Sequence, residues 1–296
     1  MAKKKGVEKI EVTLAEKAKT LIEITRPVNC GMIGISVAIA MWVGFGGMPL
    51  FVLLIAALVA AIGINAAGNA LNDYYDIDID RINKPGKALP SGKITKVGLW
   101  IYATLLFAMG NTVAMLYLTK IPIIIAVINS VLLIVYAIKV KKSGFLGNIM
   151  ISYLVASVFA FAAAVVDALM IGIFLSIAAF FTNAAREILK DLEDVRGDEL
   201  GGAQTLPLAE GGKKTMIVVA SFLILAIILS PLPYLLEILS MYYIAIILVA
   251  DTILLGVIYS VLNKRTRKSA TVNQRRIKFA AIIGILAFLA GTVPWP

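Results

Sequence analysis

With 296 residues, 60% of them hydrophobic, and a mean hydropathy of +0.92, the chain carries more apolar surface than a water-soluble protein of this length can bury. It reads as an all-α, polytopic membrane protein. The lack of histidine excludes imidazole metal ligation and imidazole acid–base chemistry, and a lone cysteine, Cys30, excludes an intramolecular disulfide. The net charge of +10 lies in segments between apolar stretches and forms no exposed basic domain, so it points to anionic lipid headgroups and not to nucleic acid.

In chain order, Lys3, Lys4 and Lys5 come first, with no short apolar core and cleavage site behind them, so no cleaved signal peptide is expected. Residues 1–20 read as a cytoplasmic or interfacial segment, amphipathic from Val7 onward, and residues 21–296 as one transmembrane domain. Nine spans fit the apolar stretches, at 21–43, 50–72, 97–118, 121–139, 145–166, 169–190, 215–233, 238–262 and 277–293. The segment 83–92, with Pro85, Gly86, Pro90 and Gly92, is a polar loop, and the segment 201–207 mirrors it after the sixth span. Threaded in this order, Lys120 is the only Lys or Arg in the odd-numbered connections. The positive-inside rule then places the N-terminus in the cytoplasm and the C-terminus outside. Trp42 and Trp295 fall near the outer interface and Trp100 near the inner one.

Two acidic stretches dominate the polar residues. Asp73, Asp76 and Asp80 are spaced three and then four residues apart at the end of the second span, and Asp191, Asp194 and Asp198 repeat that spacing at the end of the sixth. At helical periodicity each trio occupies one face. Such carboxylates repel one another and oppose the helix macrodipole, so a solvated-helix-end reading is a poor fit. A divalent cation is the natural counter-charge, and hard oxygen ligands suit Mg²⁺ shared with substrate phosphates. The repeat reads as a diverged internal duplication that brings two Mg²⁺–diphosphate clamps over one cavity. Arg26 lies within a span and needs a partner, either a substrate phosphate or a cluster carboxylate. Asn29 and Asn72 are amides at membrane depth that either orient ligands or bond between helices. Lys84 or Lys87, and Lys139 or Lys142, are candidate diphosphate donors, each with an alternative reading as a membrane-surface anchor. Arg186, Glu187 and Lys190 read as an ion-paired group beside the second trio, and Asp251 as an internally paired acid.

The sequence Asn72-Asp73-x-x-Asp76-x-x-x-Asp80-Arg81, together with Asp191-x-x-Asp194-x-x-x-Asp198 on the sixth of nine helices, resembles the UbiA superfamily of intramembrane prenyltransferases over essentially the whole chain. The resemblance implies a helical bundle around a central cavity and Mg²⁺ held by the two motifs, here Asn72, Asp73, Asp76, Asp80, Asp191, Asp194 and Asp198. It also implies transfer of a prenyl group from an isoprenyl diphosphate to an acceptor embedded in the bilayer. Arg26-Pro27-Val28-Asn29 is similar to the superfamily's Arg-Pro element. Its Tyr-x-x-x-Lys pair has its counterpart at Tyr136, with Lys139 at i+3 and Lys141 at i+5. No protein partner is evident.

For the acceptor, the basic rim with Lys139, Lys141 and Lys142 favours a molecule with its own phosphate. The run Asn83 to Gly92 looks like that of archaeal members that move a geranylgeranyl group from its diphosphate to the free hydroxyl of geranylgeranylglyceryl phosphate, forming the second ether bond of archaeal lipids. An aromatic acceptor of quinone biosynthesis, 4-hydroxybenzoate or naphthoate, is the alternative. A transporter would not need twin aspartate trios. A CDP-alcohol phosphotransferase would need Asp-Gly and Ala-Arg elements that Asp73 to Arg81 lacks.

Overall fold

The computed structural model describes residues 13–294 except 201–203 and 265, with the side chains of 196–200 also outside the description. Helix α1, Leu14–Thr25, opens with a capping box in which Thr13 and Glu16 satisfy each other's backbone donors. Pro27 has no N–H to continue that helix and disfavours α geometry in the residue before it, so the chain breaks at Arg26 (φ 55) and restarts as α2, Pro27–Phe45. The first membrane helix therefore begins at Pro27, and the stretch from Leu21 that reads as part of it belongs to α1. Helix α3, Phe51–Tyr75, leads through a break at Asp76 into the short α4, Ile77–Asn83. Helices α5, Lys96–Tyr117, and α6, Lys120–Val135, follow, and α6 passes into a π turn, Tyr136–Val140. Helices α7, Phe145–Val165, and α8, Leu169–Leu200, form the next hairpin. The chain closes with α9, Leu206–Leu229, the one-turn α10, Leu232–Leu235, then α11, Met241–Asn263, and α12, Arg267–Gly291.

Eight of these helical segments are long and apolar enough to cross a membrane. The ninth expected span lies in α12, which carries Arg275, Arg276 and Lys278 and is continuously apolar only beyond them. Side-chain size decides which helices sit inside. Helix α7 buries Phe159, Phe161, Ala162, Ala163 and Ala164, and packs against α2, α6 and α8. Small residues on α3 (Ala56, Ala57, Ala60, Gly63, Ala67) let α5 approach closely, where a Cβ on Gly110 would stand 2.9 Å from the Ala60 carbonyl. Large apolar residues such as Phe51, Leu105, Ile124, Leu248 and Phe279 face outward, as the bilayer requires.

Gly144 sets the turn between the π segment and α7. It has φ 51, and a Cβ there would fall 1.7 Å from the Gln204 carbonyl oxygen. Gly144→Ala should therefore cost about 1–3 kcal/mol from overpacking and backbone strain. A drop of several degrees in the melting temperature of the detergent-extracted protein checks this, and an unchanged melting temperature would refute the close approach.

Candidate active site

On α3 a polar stripe, Asn65, Asn69, Asp73 and Asp76, climbs at three- and four-residue steps toward the acidic end of the bundle. Asp73 and Asp80 are buried, and Asp76 is half-buried. The break at Asp76 divides the first trio, so the single acidic face expected from helical spacing is not kept. Asp73 and Asp80 share Lys87, whose Nζ lies 3.0 Å from Asp73 Oδ1 and 2.7 Å from Asp80 Oδ2. Arg26 Nη2 adds a contact of 2.8 Å to Asp73. Asp76 has a different partner, Lys141.

Burial by itself favours the neutral form of Lys87, but hydrogen bonds and charge from Asp80 and Asp73 outweigh it and raise the amine above its ordinary value of 10.5. The stability this ion pair lends is complete below that ordinary value and is lost as pH climbs through the higher folded one. Lys87 is a fixed cation at every physiological pH.

The π turn decides which lysine of the basic run faces the site. Its hydrogen bonds join residues five apart, and the Lys141 N–H donates to the Tyr136 carbonyl at 2.9 Å. One extra residue per turn carries Lys141 onto the face of Tyr136, where an α-helix would have carried Val140. Lys139 and Lys142, the two singled out from sequence as diphosphate donors, are exposed. The charges of Glu187, Asp76, Asp191 and Arg26 all act on the Tyr136 hydroxyl. Residues of both acidic segments, remote in sequence, thus lie within electrostatic reach of one tyrosine.

The second segment is held by a chain of neutral side chains. Asn148 Nδ2 donates to Asp191 Oδ2 at 2.6 Å, and Asn183 Nδ2 donates to Ser152 Oγ at 3.1 Å. Arg186 donates to Asn183 Oδ1 at 3.0 and 3.3 Å and pairs with Glu187, which Lys190 approaches at 3.9 Å. This matches the ion-paired group expected there. From α12, Thr271 Oγ1 and Gln274 Nε2 donate to Glu193 at 2.8 and 2.7 Å and tie α12 to the end of α8. Asp194 is exposed, and the side chain of Asp198 lies outside the described residues. Asn29 is half-buried three residues beyond Arg26. Arg81 is exposed and pairs with Asp78 at 3.5 Å, and Lys84 is exposed in the loop. Asn65, Asn69, Asn148 and Glu193 were not singled out from sequence. The signal available was polar residues recurring at i and i+4 in apolar helices, as in Asn65/Asn69 and Asn148/Ser152.

The donor set suits a hard divalent cation, since every acidic or amide ligand candidate offers oxygen. Asn72 Oδ1 is buried with no hydrogen-bond partner, an oxygen ready to serve a cation or its bound water. Among the described residues no three acidic side chains already converge as a cage. That accords with Mg²⁺, which binds through one or two carboxylates and completes its shell with phosphate oxygens and water.

The profile of the UbiA prenyltransferase family matches residues 33–291. The chain belongs to that family. It is 38% identical over 272 residues to the digeranylgeranylglyceryl phosphate synthase of Methanopyrus kandleri, covering 92% of this chain and 98% of that one. A solved structure of a digeranylgeranylglyceryl phosphate synthase superposes with a TM-score of 0.88 at 33% identity, covering 94% of this chain and 99% of the other. A UbiA homologue from Archaeoglobus fulgidus, solved with GPP and Mg²⁺ bound, shares the fold at a TM-score of 0.61 and 18% identity, with 92% and 98% covered. This UbiA prenyltransferase is therefore an all-α, multi-pass membrane enzyme, as its sequence implies.

Proposed function

We propose that this UbiA prenyltransferase moves a geranylgeranyl group from geranylgeranyl diphosphate to the free hydroxyl of geranylgeranylglyceryl phosphate, making the second ether bond of archaeal lipids. The observation that carries this reading is the near-full-length similarity to synthases of that name, in a chain whose first acidic segment is paired with Arg26, Lys87 and Lys141. Positive-inside charge asymmetry supports a site that faces the cytoplasm of the cell membrane.

In the reaction the allylic C–O bond breaks with its electron pair leaving on diphosphate, the acceptor oxygen bonds to that carbon, and the hydroxyl proton is released. Asn72, Asp73, Asp76, Asp80, Asp191, Asp194 and Asp198 would hold Mg²⁺, which would supply neutralisation of the charge that gathers on the leaving group. Lys141 and Arg26 pair with Asp76 and Asp73 and would donate to diphosphate oxygens beside them. Lys87 keeps Asp73 and Asp80 in one orientation. In a chain without histidine, a carboxylate of the second segment is the group available to take the proton. An alcohol is a weak nucleophile, which suits an electrophile with carbocation character.

The test is a Mg²⁺-dependent transfer assay in detergent, with geranylgeranyl diphosphate as donor and geranylgeranylglyceryl phosphate and 4-hydroxybenzoate offered side by side. Product from the glyceryl phosphate alone is expected. Product from the aromatic alone would keep the chemistry and overturn the acceptor.

A further inference from the structure

Below the acidic end lies a slot of about 80 Å³ between α2, α3, α6 and α7. Its walls are apolar (Ile33, Ile64, Leu133, Leu154, Phe161) except for two amides, Asn65 and Asn129. Asn129 is 8% exposed, and its Oδ1 is buried with no hydrogen-bond partner. The nearest partner of Asn65 is the sulfur of Cys30, 3.7 Å from its Nδ2. An amide carbonyl left unpaired in an apolar interior is destabilising, and lipid offers it no hydrogen bond at this depth. A chain that keeps two amides on one apolar slot has placed them there for something that can bond to them.

We propose that the Asn65–Asn129 slot binds the glycerol oxygens of the acceptor. This inference rests on the proposed function above. Of the two reactants, the donor below its diphosphate is pure hydrocarbon and offers an amide nothing. The acceptor carries a hydroxyl, which can donate to a carbonyl such as Asn129 Oδ1, and an ether oxygen, which can accept from an amide N–H. Position agrees with chemistry. Asn65 lies two helical turns, about 12 Å, below Asp73 on the same face of α3. Asn129 lies about 10 Å below Tyr136 along α6. In-line displacement puts the attacking oxygen on the side of the allylic carbon away from the diphosphate, within about 3–3.5 Å of it. That side is the one deeper than the acidic layer. Two amides fixed on packed helices would present an alcohol from there, and the surrounding Ile, Leu and Phe side chains keep competing water out.

Steady-state kinetics of wild type, Asn129→Leu and Asn65→Leu decide the matter, with geranylgeranyl diphosphate and geranylgeranylglyceryl phosphate varied in turn and melting temperature as the control for folding. Leucine repeats the branched heavy-atom skeleton of asparagine without its polar atoms and, though bulkier, satisfies an apolar wall beside open space, so stability should hold or rise. The expected result is a rise of about tenfold or more in KM for the glyceryl acceptor, with KM for the donor within about twofold of wild type. A rise in donor KM with the acceptor unaffected would make the slot part of the prenyl path and overturn the proposal, as would two variants with wild-type kinetics. If one variant fails to fold, the other carries the same two-way reading, and Asn129→Ser, which puts a hydroxyl able to accept a hydrogen bond at the position, should recover acceptor KM in part relative to Asn129→Leu. A wild-type protein with no activity on the glyceryl acceptor would instead overturn the proposed function itself.

Discussion

Replacing Asp76 or Asp194 with alanine should lower prenyl transfer by about 10³-fold or more while leaving a folded, extractable protein. A loss of that size corresponds to about 4 kcal/mol of transition-state stabilisation, which one ligand of a metal–diphosphate clamp can supply. The two positions are chosen because neither side chain is part of the packed core: Asp76 is half-buried against Lys141 and Asp194 is exposed. Asp76→Ala does free Lys141, but a lysine with a third of its side chain exposed is readily hydrated. Turnover with saturating Mg²⁺ is measured beside melting temperature. Near-full activity in both variants would sink the clamp assignment. Loss of fold in both would show that these carboxylates are structural.

The second large effect separates three lysines that sequence alone leaves equivalent. Lys141→Ala should reduce transfer by about 10²-fold, the size expected when one preorganised cationic donor to a developing oxyanion is lost. Lys139→Ala and Lys142→Ala should each stay within about threefold of wild type, because both side chains are exposed and the ion pair with Asp76 is made by Lys141. The donor KM should rise with Lys141→Ala, which a purely structural role would not produce. Equal effects from all three variants would mean that the basic run acts as a diffuse field and that the π turn has no part in aiming it. An inserted or deleted residue within 136–140 should swap the behaviour of Lys141 with that of a neighbour, since side-chain direction in a helix follows register.

Much of the site was legible from residue spacing. Twin aspartate trios at the ends of two apolar helices define the chemistry before any contact is known, because charge at membrane depth is too costly to retain without a use. The Arg26–Asp73 pair followed from the same argument, since a cation within a span needs a partner and a cluster carboxylate was one of two candidates. The internal pairing expected of Asp251 is met by Ser230, whose hydroxyl lies 2.6 Å from it.

What spacing missed came from breaks in helical register. Periodicity treats Asp73, Asp76 and Asp80 as one face, yet the chain turns at Asp76 and sends that carboxylate to a different partner. The spacing after Tyr136 likewise left Lys139 at i+3 and Lys141 at i+5 open, and it is Lys141, beyond a five-residue turn, that pairs with Asp76. Asn148, which holds Asp191, carried only the weak signal of an amide in an apolar helix.

The sequence by itself determined the class of molecule, the order of its apolar helices and the positions of its two acidic segments, because hydropathy and charge are local properties that the bilayer enforces residue by residue. Only the tertiary structure decided which cation meets which carboxylate, and that two amides, one with an unpartnered carbonyl, share one apolar slot. Those outcomes depend on where helices break and how closely small residues let them approach, and both are settled by packing between segments far apart in the chain.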